Sequence, residues 1–347
     1  MSRRISPAVW PGTLLLGLLL APSLLRAEPP REPLLKANST LADWSARRAK
    51  IVAAAERVMG PLPGDRARVP LAPKILSEER RGNILYRKLS FQSDPTDRVT
   101  AWLLLPETKP GERRPAILAL HQTVPSGKDE PVGLSGSPTM HYGLDLARRG
   151  YIVLAPDYPS FGDHPYDFAA HPEYASGTMK AIWDNIRAVD LLTSLPEVDP
   201  ERIGVIGHSL GGHNAIFTAL FEPRLKVVVS SCGFTSLRKD DLPSWTGPRY
   251  MPRIATELRN DIAKMPFDFD ELIAALAPRP FLAVAATRDS DFDVTGVQDV
   301  IAAGKPVYAL HGREASLAAL YPDSPHDFPD AARAAACDFL DQHLRPR

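Results

Sequence analysis

A serine between two glycines is the residue of this chain best suited to covalent chemistry. The segment Gly207–Gly211 (GHSLG) follows an apolar run, Ile203–Ile206, and precedes an apolar helical segment, His213–Phe221. G-x-S-x-G at a strand-to-helix turn is typical of a nucleophile elbow, where flanking glycines leave room for the tightly turned backbone. We therefore predict Ser209 as a nucleophile. A glycine-rich structural turn is the alternative interpretation.

A histidine must accept the proton of such a serine, because a hydroxyl is a weak nucleophile at neutral pH. In folds with this elbow the three groups follow the chain order serine, acid, histidine. Of the nine histidines, three follow the later apolar run Phe281–Ala286: His311, His326 and His343. His326 lies in the loop before the last predicted helix, and His343 lies at the end of that helix. We predict His326 as the base, with His311 as the alternative.

The orienting acid is expected after the same apolar run. Asp289 is nearest to the end of the predicted strand and is therefore held most firmly, so we predict it as the acid. Asp291 is the main alternative. Asp293 directly precedes the predicted helix Val294–Ala303 and fits a helix cap.

Acyl transfer also needs hydrogen-bond donors for the oxyanion that forms when a hydroxyl attacks a carbonyl. The backbone N–H of Leu210, the residue after the nucleophile, is the first expected donor. The second is expected in the loop after the apolar run Ala116–His121, from the N–H of Gln122 or Thr123. His121 precedes the nucleophile in chain order, so we predict that it orders this loop and is not the base.

Strand and helix patterns alternate over about 260 residues, which predicts a mostly parallel sheet covered by helices on both faces. Asn83–Gln92 and Val99–Leu105 are predicted as a pair of strands. The segment Gly177–Leu195 is predicted as an amphipathic helix, with Lys180 and Asp184 opposite its apolar stripe.

Aromatic residues are concentrated in an irregular, proline-braced segment, Phe234–Phe269. Insertions after the strand Lys226–Ser230 lie over the edge of the sheet where the nucleophile is exposed. We therefore predict that Trp245 and Tyr250 form a lid or substrate wall. The alternative is that they pack this segment onto the core.

The first 27 residues have the pattern of a secretory signal peptide: paired arginines, a leucine-rich stretch and small residues before polar sequence. A retained membrane anchor is the alternative, but Pro7, Pro11 and Pro22 interrupt the apolar run. We predict a signal peptide over 1–27, a helical arm over 28–78 and a catalytic domain over 79–347. The mature protein is expected to be secreted or periplasmic, without stable membrane insertion.

Composition excludes several classes of protein. The 41 basic and 41 acidic residues cancel, and without a basic patch we predict no nucleic-acid partner. Two cysteines in no Cys-x-x-Cys pair give neither a disulfide scaffold nor a zinc site. Cys232 and Cys337 could pair after export, although two separately buried thiols are the commoner arrangement.

Together these residues resemble the α/β-hydrolase superfamily over about residues 80–345. The chain looks most like the group of dienelactone hydrolases, acetyl xylan esterases and prolyl oligopeptidase catalytic domains. Three segments carry that resemblance: Ala155–Tyr158, Val198–Ile203 and His326–Pro329. It implies an α/β-hydrolase fold with a short lid insertion after the sixth core strand. It also implies a Ser–Asp–His hydrolase without metal or organic cofactor.

Three departures refine this resemblance. Dienelactone hydrolases carry a cysteine nucleophile where this chain has Ser209, and glucuronoyl esterases carry an arginine where it has Leu210. A prolyl peptidase normally adds a propeller of several hundred residues, which favours an esterase here. We expect a secreted hydrolase of carboxylic esters, small-molecule or acylated carbohydrate, acting through an acyl-enzyme. The alternatives are a prolyl oligopeptidase-like peptidase or amidase, and a non-catalytic binding protein on a hydrolase scaffold.

Overall fold

One nine-stranded sheet runs through the part of the chain that the computed structural model describes, residues 33–345. The predicted signal peptide lies outside these residues. In chain order the strands are β1 (Lys74–Arg81), β2 (Ile84–Gln92), β3 (Arg98–Pro106), β4 (Arg114–Leu120), β5 (Ile152–Pro156), β6 (Val198–His208), β7 (Leu225–Ser231), β8 (Phe281–Val284) and β9 (Leu317–Leu320).

The strands lie side by side in the order β1-β2-β3-β5-β4-β6-β7-β8-β9. In this spatial order, the neighbours from β1 to β5 pair antiparallel. The neighbours from β5 to β9 pair in parallel. At the centre, Leu118 of β4 pairs with Leu154 of β5 and with Val205 of β6. The predicted mostly parallel sheet and the predicted pairing of β2 with β3 are both confirmed.

Helices cover both faces of this sheet. Along β4, Ala116 and Leu118 face one apolar layer, whereas Ile117 and Ala119 face the other. Buried residues of α1, α3, α4, α6 and α7 belong to the first layer, and those of α2 and α8 belong to the second. The helices are α1 (Leu41–Met59), α2 (Tyr142–Arg148), α3 (Gly177–Ser194), α4 (Leu210–Phe221), α5 (Arg253–Thr256), α6 (Phe269–Ala274), α7 (Val294–Leu310) and α8 (Asp330–Leu344). Among the described residues, none of these helices combines the length and apolar character that crossing a bilayer requires.

The helix of the N-terminal segment is part of the main core. α1 begins with a capping box, in which Thr40 and Asp43 each bind the backbone N–H of the other. Its inner face, including Trp44 and Met59, is buried against the larger apolar layer. β1 begins at Lys74 and is exposed along its whole length, so it carries no apolar alternation that a sequence pattern could reveal.

Two helices differ from expectation. α3 is buried on nearly all sides, so Lys180 and Asp184 do not form a solvent-facing stripe. They belong to a buried ion cluster, which satisfies their charge inside the protein. α7 continues to Leu310 instead of ending at Ala303, although Pro306 removes one N–H from its hydrogen-bond ladder.

Candidate active site

The predicted site residues all follow the carboxyl ends of parallel strands. Thr123 follows β4, Ser209 follows β6, Asp289 follows β8, and His326 follows β9. In an open parallel sheet these strand ends share one edge, and ligands bind in the crevice outside it. The topology therefore brings residues that are far apart in sequence to the same edge of the sheet.

Ser209 lies in a strained turn between β6 and α4. Its backbone angles are φ 53° and ψ −119°, in a region that non-glycine residues rarely adopt. A Cβ atom at Gly207 would lie 2.2 Å from the carbonyl oxygen of Gly211, and one at Gly211 would lie 2.0 Å from that of Leu120. Only glycine fits either position, so these residues build the elbow that the sequence pattern predicts.

His326 is held by a carboxylate on one side of its ring. Its Nδ1 lies 2.9 Å from each carboxylate oxygen of Asp289. The Asp289 carboxylate also accepts the backbone N–H groups of Asp291 and Phe292, at 2.8 and 3.1 Å. The side chain of Asp289 is 1% exposed and that of His326 is 18% exposed. A buried acid thus orients an imidazole that is still accessible, as a general base requires.

The pKa values of this pair are coupled through their hydrogen bond. Burial lowers the pKa of His326, but the hydrogen bond and charge of Asp289 outweigh it, so the pKa lies above its ordinary value. Burial raises the pKa of Asp289, but the hydrogen bond to His326 and the backbone N–H groups outweigh it, so the pKa lies below its ordinary value. Asp289 is therefore a carboxylate able to stabilise a protonated His326.

The alternative candidates occupy different positions. Asp291 lies on the far side of the imidazole, with Oδ2 at 3.8 Å from Nε2 of His326, and its side chain is 60% exposed. His311 caps the end of α7, and the ring of His343 packs on Phe339 within α8. This geometry favours Asp289 and His326 over the alternatives.

A cavity of about 530 Å³ contains both the elbow and the imidazole. Ser209, Leu210 and His326 all line it, as does His213 of α4. The segment after β7 and the loops after β4 and β8 supply the rest of the lining. These parts contain Gln122, Thr123, Asp240, Asp241, Ser244, Trp245, Tyr250, Ser290, Asp291 and Phe292.

Backbone donors are available beside Ser209. Leu210 is the first residue of α4, and the first N–H groups of a helix have no intrahelical partner. In the loop after β4, His121 accepts the N–H of Tyr158 at Nε2 and donates from Nδ1 to the Gln122 carbonyl, at 2.9 and 2.6 Å. These are the contacts of a loop-ordering residue. Gln122 and Thr123 both line the cavity, so the structure keeps the N–H groups of both as candidates for the second donor.

The predicted aromatic wall is at the same time part of the core. Trp245 lines the cavity but is only 4% exposed, and it packs against Phe217 and Phe269. Its Nε1 donates to Asp240 at 2.9 Å. Tyr250 is half-buried and also lines the cavity. Trp245 therefore packs in the core, as one interpretation predicts, and also lines the cavity, as the other predicts.

His213 was not singled out from the sequence, because a histidine inside an apolar helix carries no signal of its own. Its ring is 5% exposed, lines the cavity and lies 4.8 Å from the ring of Trp245. It lies beside the backbone of Gly233, but neither ring nitrogen meets hydrogen-bond geometry with any described group. Burial lowers the pKa of His213 to about 3, so the ring is neutral.

Two buried residues beneath the imidazole also escaped the sequence argument. His208 binds Ser231 through Nδ1 at 3.0 Å, and its ring lies 4.8 Å from that of His326. Burial lowers the pKa of His208 to about 3, so it adds no charge under the base. Cys232 has its sulfur within 4.8 Å of ligand atoms of Asp289 and His326. Burial raises the pKa of its thiol to about 12, and both Cys232 and Cys337 are free and buried.

Within residues 33–345, two groups of side chains have the composition of a metal site. Cys232, Asp289 and His326 form one, but Nδ1 of the histidine is already bonded to the carboxylate. Asp97, His164 and Asp184 form the other. The amino group of Lys180 lies 2.6 and 2.5 Å from these two carboxylates, so a cation of the protein itself already balances their charge.

The sheet and the elbow define the class of this protein: it is a serine hydrolase of the α/β-hydrolase fold. Residues 140–346 match the prolyl oligopeptidase family, and the chain belongs to that family. The resemblance predicted from the sequence is thereby confirmed.

Relatives and solved structures extend this assignment. YtaP of Bacillus subtilis, which carries the name of a hydrolase, is 28% identical over 304 residues, covering 83% of this chain and 97% of that protein. A 4-O-methyl-glucuronoyl methylesterase of Wolfiporia cocos is 25% identical, covering 80% of this chain and 69% of that protein.

Among solved structures, a glucuronoyl esterase from Solibacter usitatus aligns with a TM-score of 0.70 at 18% identity, over 91% of this chain and 98% of that one. A glucuronoyl esterase from Teredinibacter turnerae also gives 0.70 at 18% identity, over 90% of this chain and 88% of that one. At such identities the likeness shows the fold.

Proposed function

We propose that this chain is an exported serine esterase that cleaves carboxylic esters with Ser209 as nucleophile, His326 as base and Asp289 as orienting acid. The observation that carries the proposal is the shared cavity. It contains the strained Ser209 and the accessible side of an imidazole whose other side is bonded to a buried carboxylate.

The proposed reaction has two halves. In the first, Oγ of Ser209 attacks the ester carbonyl while Nε2 of His326 takes the hydroxyl proton. The resulting oxyanion accepts hydrogen bonds from the N–H group of Leu210 and from that of Gln122 or Thr123. Collapse of this intermediate breaks the bond to the alkoxy oxygen, which leaves as alcohol with the proton from His326.

Water completes the cycle in the second half. His326 takes a proton from water, whose oxygen attacks the acyl-enzyme carbonyl, and the new intermediate expels Ser209, which recovers its proton. The free acid is released. Throughout, Asp289 stabilises the imidazolium without accepting its proton.

Ester substrates are supported by the names of the similar proteins. The Wolfiporia relative is a methylesterase by name, and both solved neighbours are named glucuronoyl esterases. These names also support acylated or esterified carbohydrate as a substrate class. The family match favours a second candidate, cleavage of a prolyl peptide or amide.

A substrate panel distinguishes these two functions. The purified mature protein is assayed on p-nitrophenyl acetate, acetylated xylo-oligosaccharides, a methyl glucuronate ester and a prolyl anilide, with Ser209→Ala as control. We expect turnover of at least one ester, a kcat/KM for the anilide at least about 100-fold lower, and no turnover by the variant. Cleavage of the anilide alone would replace the esterase proposal by the peptidase.

Export is proposed from residues 1–27 alone. Expression of the full chain in a bacterial host, followed by N-terminal sequencing of the periplasmic or extracellular fraction, should find a chain that begins near Glu28. Retention of the uncleaved chain in the membrane fraction would support the anchor interpretation instead.

A further inference from the structure

The walls of the active-site cavity carry charge of one sign. Asp240, Asp241 and Asp291 line it, and within residues 33–345 its lining contains no lysine or arginine. Asp291 and Asp241 are exposed to solvent, and Asp291 lies 3.8 Å from Nε2 of His326. Asp240 is partly buried and accepts hydrogen bonds from Trp245 and from the N–H of Asp241. A charged substrate group would therefore meet carboxylates close to the reacting atoms.

Three cations close in sequence to these carboxylates are engaged with other groups. Lys239 pairs with Asp299 at 2.7 Å. Arg288 pairs with Asp323 at 2.7 Å. Arg249 donates to Ser160 at 2.7 Å. None of the three lines the cavity, so the charged side chains that line it are the carboxylates.

An independent observation supports polar groups as ligands of the same cavity. His213 lines it and is 5% exposed, with the backbone of Gly233 beside its ring. Neither ring nitrogen makes a full hydrogen bond within residues 33–345, and a buried polar group that lacks one is costly. The neutral ring keeps an acceptor nitrogen, which suits a hydroxyl group, and it adds no positive charge.

We propose that this cavity selects its ester substrates by charge, admitting neutral polar or cationic groups beside the ester and rejecting anionic ones through Asp240, Asp241 and Asp291. This inference rests on the proposed esterase function and names its substrate class. It also has a consequence for turnover, since the acid product is an anion and is repelled by the same carboxylates.

A charge-matched series of acetate esters tests the selection. Acetylcholine is cationic, 3,3-dimethylbutyl acetate is its neutral isostere, and 3-sulfopropyl acetate is anionic. We expect kcat/KM at low salt to be about 10- to 100-fold higher for the cation than for the anion, with the neutral ester between them. The ratio should shrink towards one in about 1 M salt, because ions screen exposed charges.

Substitution of single carboxylates shows which of them cause the charge selection. Asp241→Asn and Asp291→Asn should each lower the cation-to-anion ratio about threefold or more. Asp338→Asn is the matched control, because this carboxylate is 70% exposed on α8 and does not line the cavity; its ratio should equal that of the wild type.

The outcomes separate the two proposals. Turnover of the neutral ester with no dependence on charge, or with preference for the anion, would overturn charge selection and leave the esterase proposal intact. A folded protein that turns over none of the three esters, nor any ester of the wider panel, would overturn the esterase proposal and this inference with it.

Discussion

Two histidine–aspartate pairs of this molecule are alike in their hydrogen bonding and differ in their exposure to solvent. His326 binds Asp289 at 2.9 Å, and His164 binds Asp97 at 2.8 Å. In both pairs the pKa of the histidine lies above its ordinary value, because the bond to the carboxylate outweighs the effect of burial. The His326 side chain is 18% exposed and lines the active-site cavity, whereas that of His164 is 1% exposed.

The second pair belongs to a sealed group that we term the Lys180 cluster: Asp94, Asp97, His164, Lys180 and Asp184. The amino group of Lys180 lies 2.6 Å from Asp97, 2.5 Å from Asp184 and 3.4 Å from Asp94. The cluster joins the turn between β2 and β3 to the loop after β5 and to α3. Its charges hold these elements together. A bonded histidine–aspartate pair becomes a catalytic candidate only when its imidazole is accessible beside a nucleophile.

Separate substitution of the two histidines gives the largest expected difference in activity. His326→Ala should lower kcat/KM for an ester about 10⁴-fold with little change in Tm, since triad members act as a unit. His164→Gln should lower Tm and leave kcat/KM of the folded protein within about threefold of the wild type. Steady-state kinetics and thermal melts measure both. Similar losses of activity in the two variants would remove the distinction between the pairs.

The two aspartates beside His326 provide a second test. Asp289→Asn should lower kcat/KM about 10⁴-fold, because the amide no longer holds the catalytic tautomer of His326. Asp291→Asn should lower it less than tenfold for a neutral ester, because Asp291 does not contact Nδ1. The reverse ranking would transfer the role of orienting acid to Asp291.

Loss of the cation of the Lys180 cluster should lower the stability of the fold. Lys180→Met leaves three buried carboxylates without their cation, and we expect the free energy of unfolding to fall by about 3–5 kcal/mol. Lys50→Met on the exposed face of α1 is the control and should change it by no more than about 0.5 kcal/mol. Urea unfolding of both variants measures the difference. A Lys180→Met protein as stable as the wild type would show that the cluster does not stabilise the fold.

The pH dependence of catalysis should show the smallest effect. His326 must be neutral to accept a proton, so kcat/KM should fall as pH drops through a pKa above its ordinary value of 6.5. The charge of Asp291 contributes to this raised pKa. Asp291→Asn should therefore move the acid limb to lower pH by a few tenths of a unit, while Asp338→Asn leaves it in place. A move to higher pH would contradict the assignment.

The main elements and residues of the site are predictable from the sequence, because each has a local sequence signal. The elbow has its glycines, the buried strands are short apolar runs, and chain order restricts the histidine to residues after the later strands. These signals led to Ser209, Asp289 and His326, which the structure gathers at one sheet edge.

The rest of the molecule lacks such signals. Lys180 and Asp184 are spaced like an exposed i, i+4 pair on a helix, and only tertiary packing reveals that they are buried. The exposed β1 has no apolar alternation. The unpaired nitrogens of His213 likewise depend on which groups the fold places around the ring.

Covalent labelling of the nucleophile tests the central claim most directly. The purified protein is treated with a fluorophosphonate probe, and intact mass followed by peptide mapping locates the adduct. We predict one adduct per chain, on Ser209, that is absent in Ser209→Ala and forms far more slowly in His326→Ala but at the wild-type rate in His164→Gln. An adduct on another residue, or labelling and ester turnover that persist in Ser209→Ala, would contradict the account.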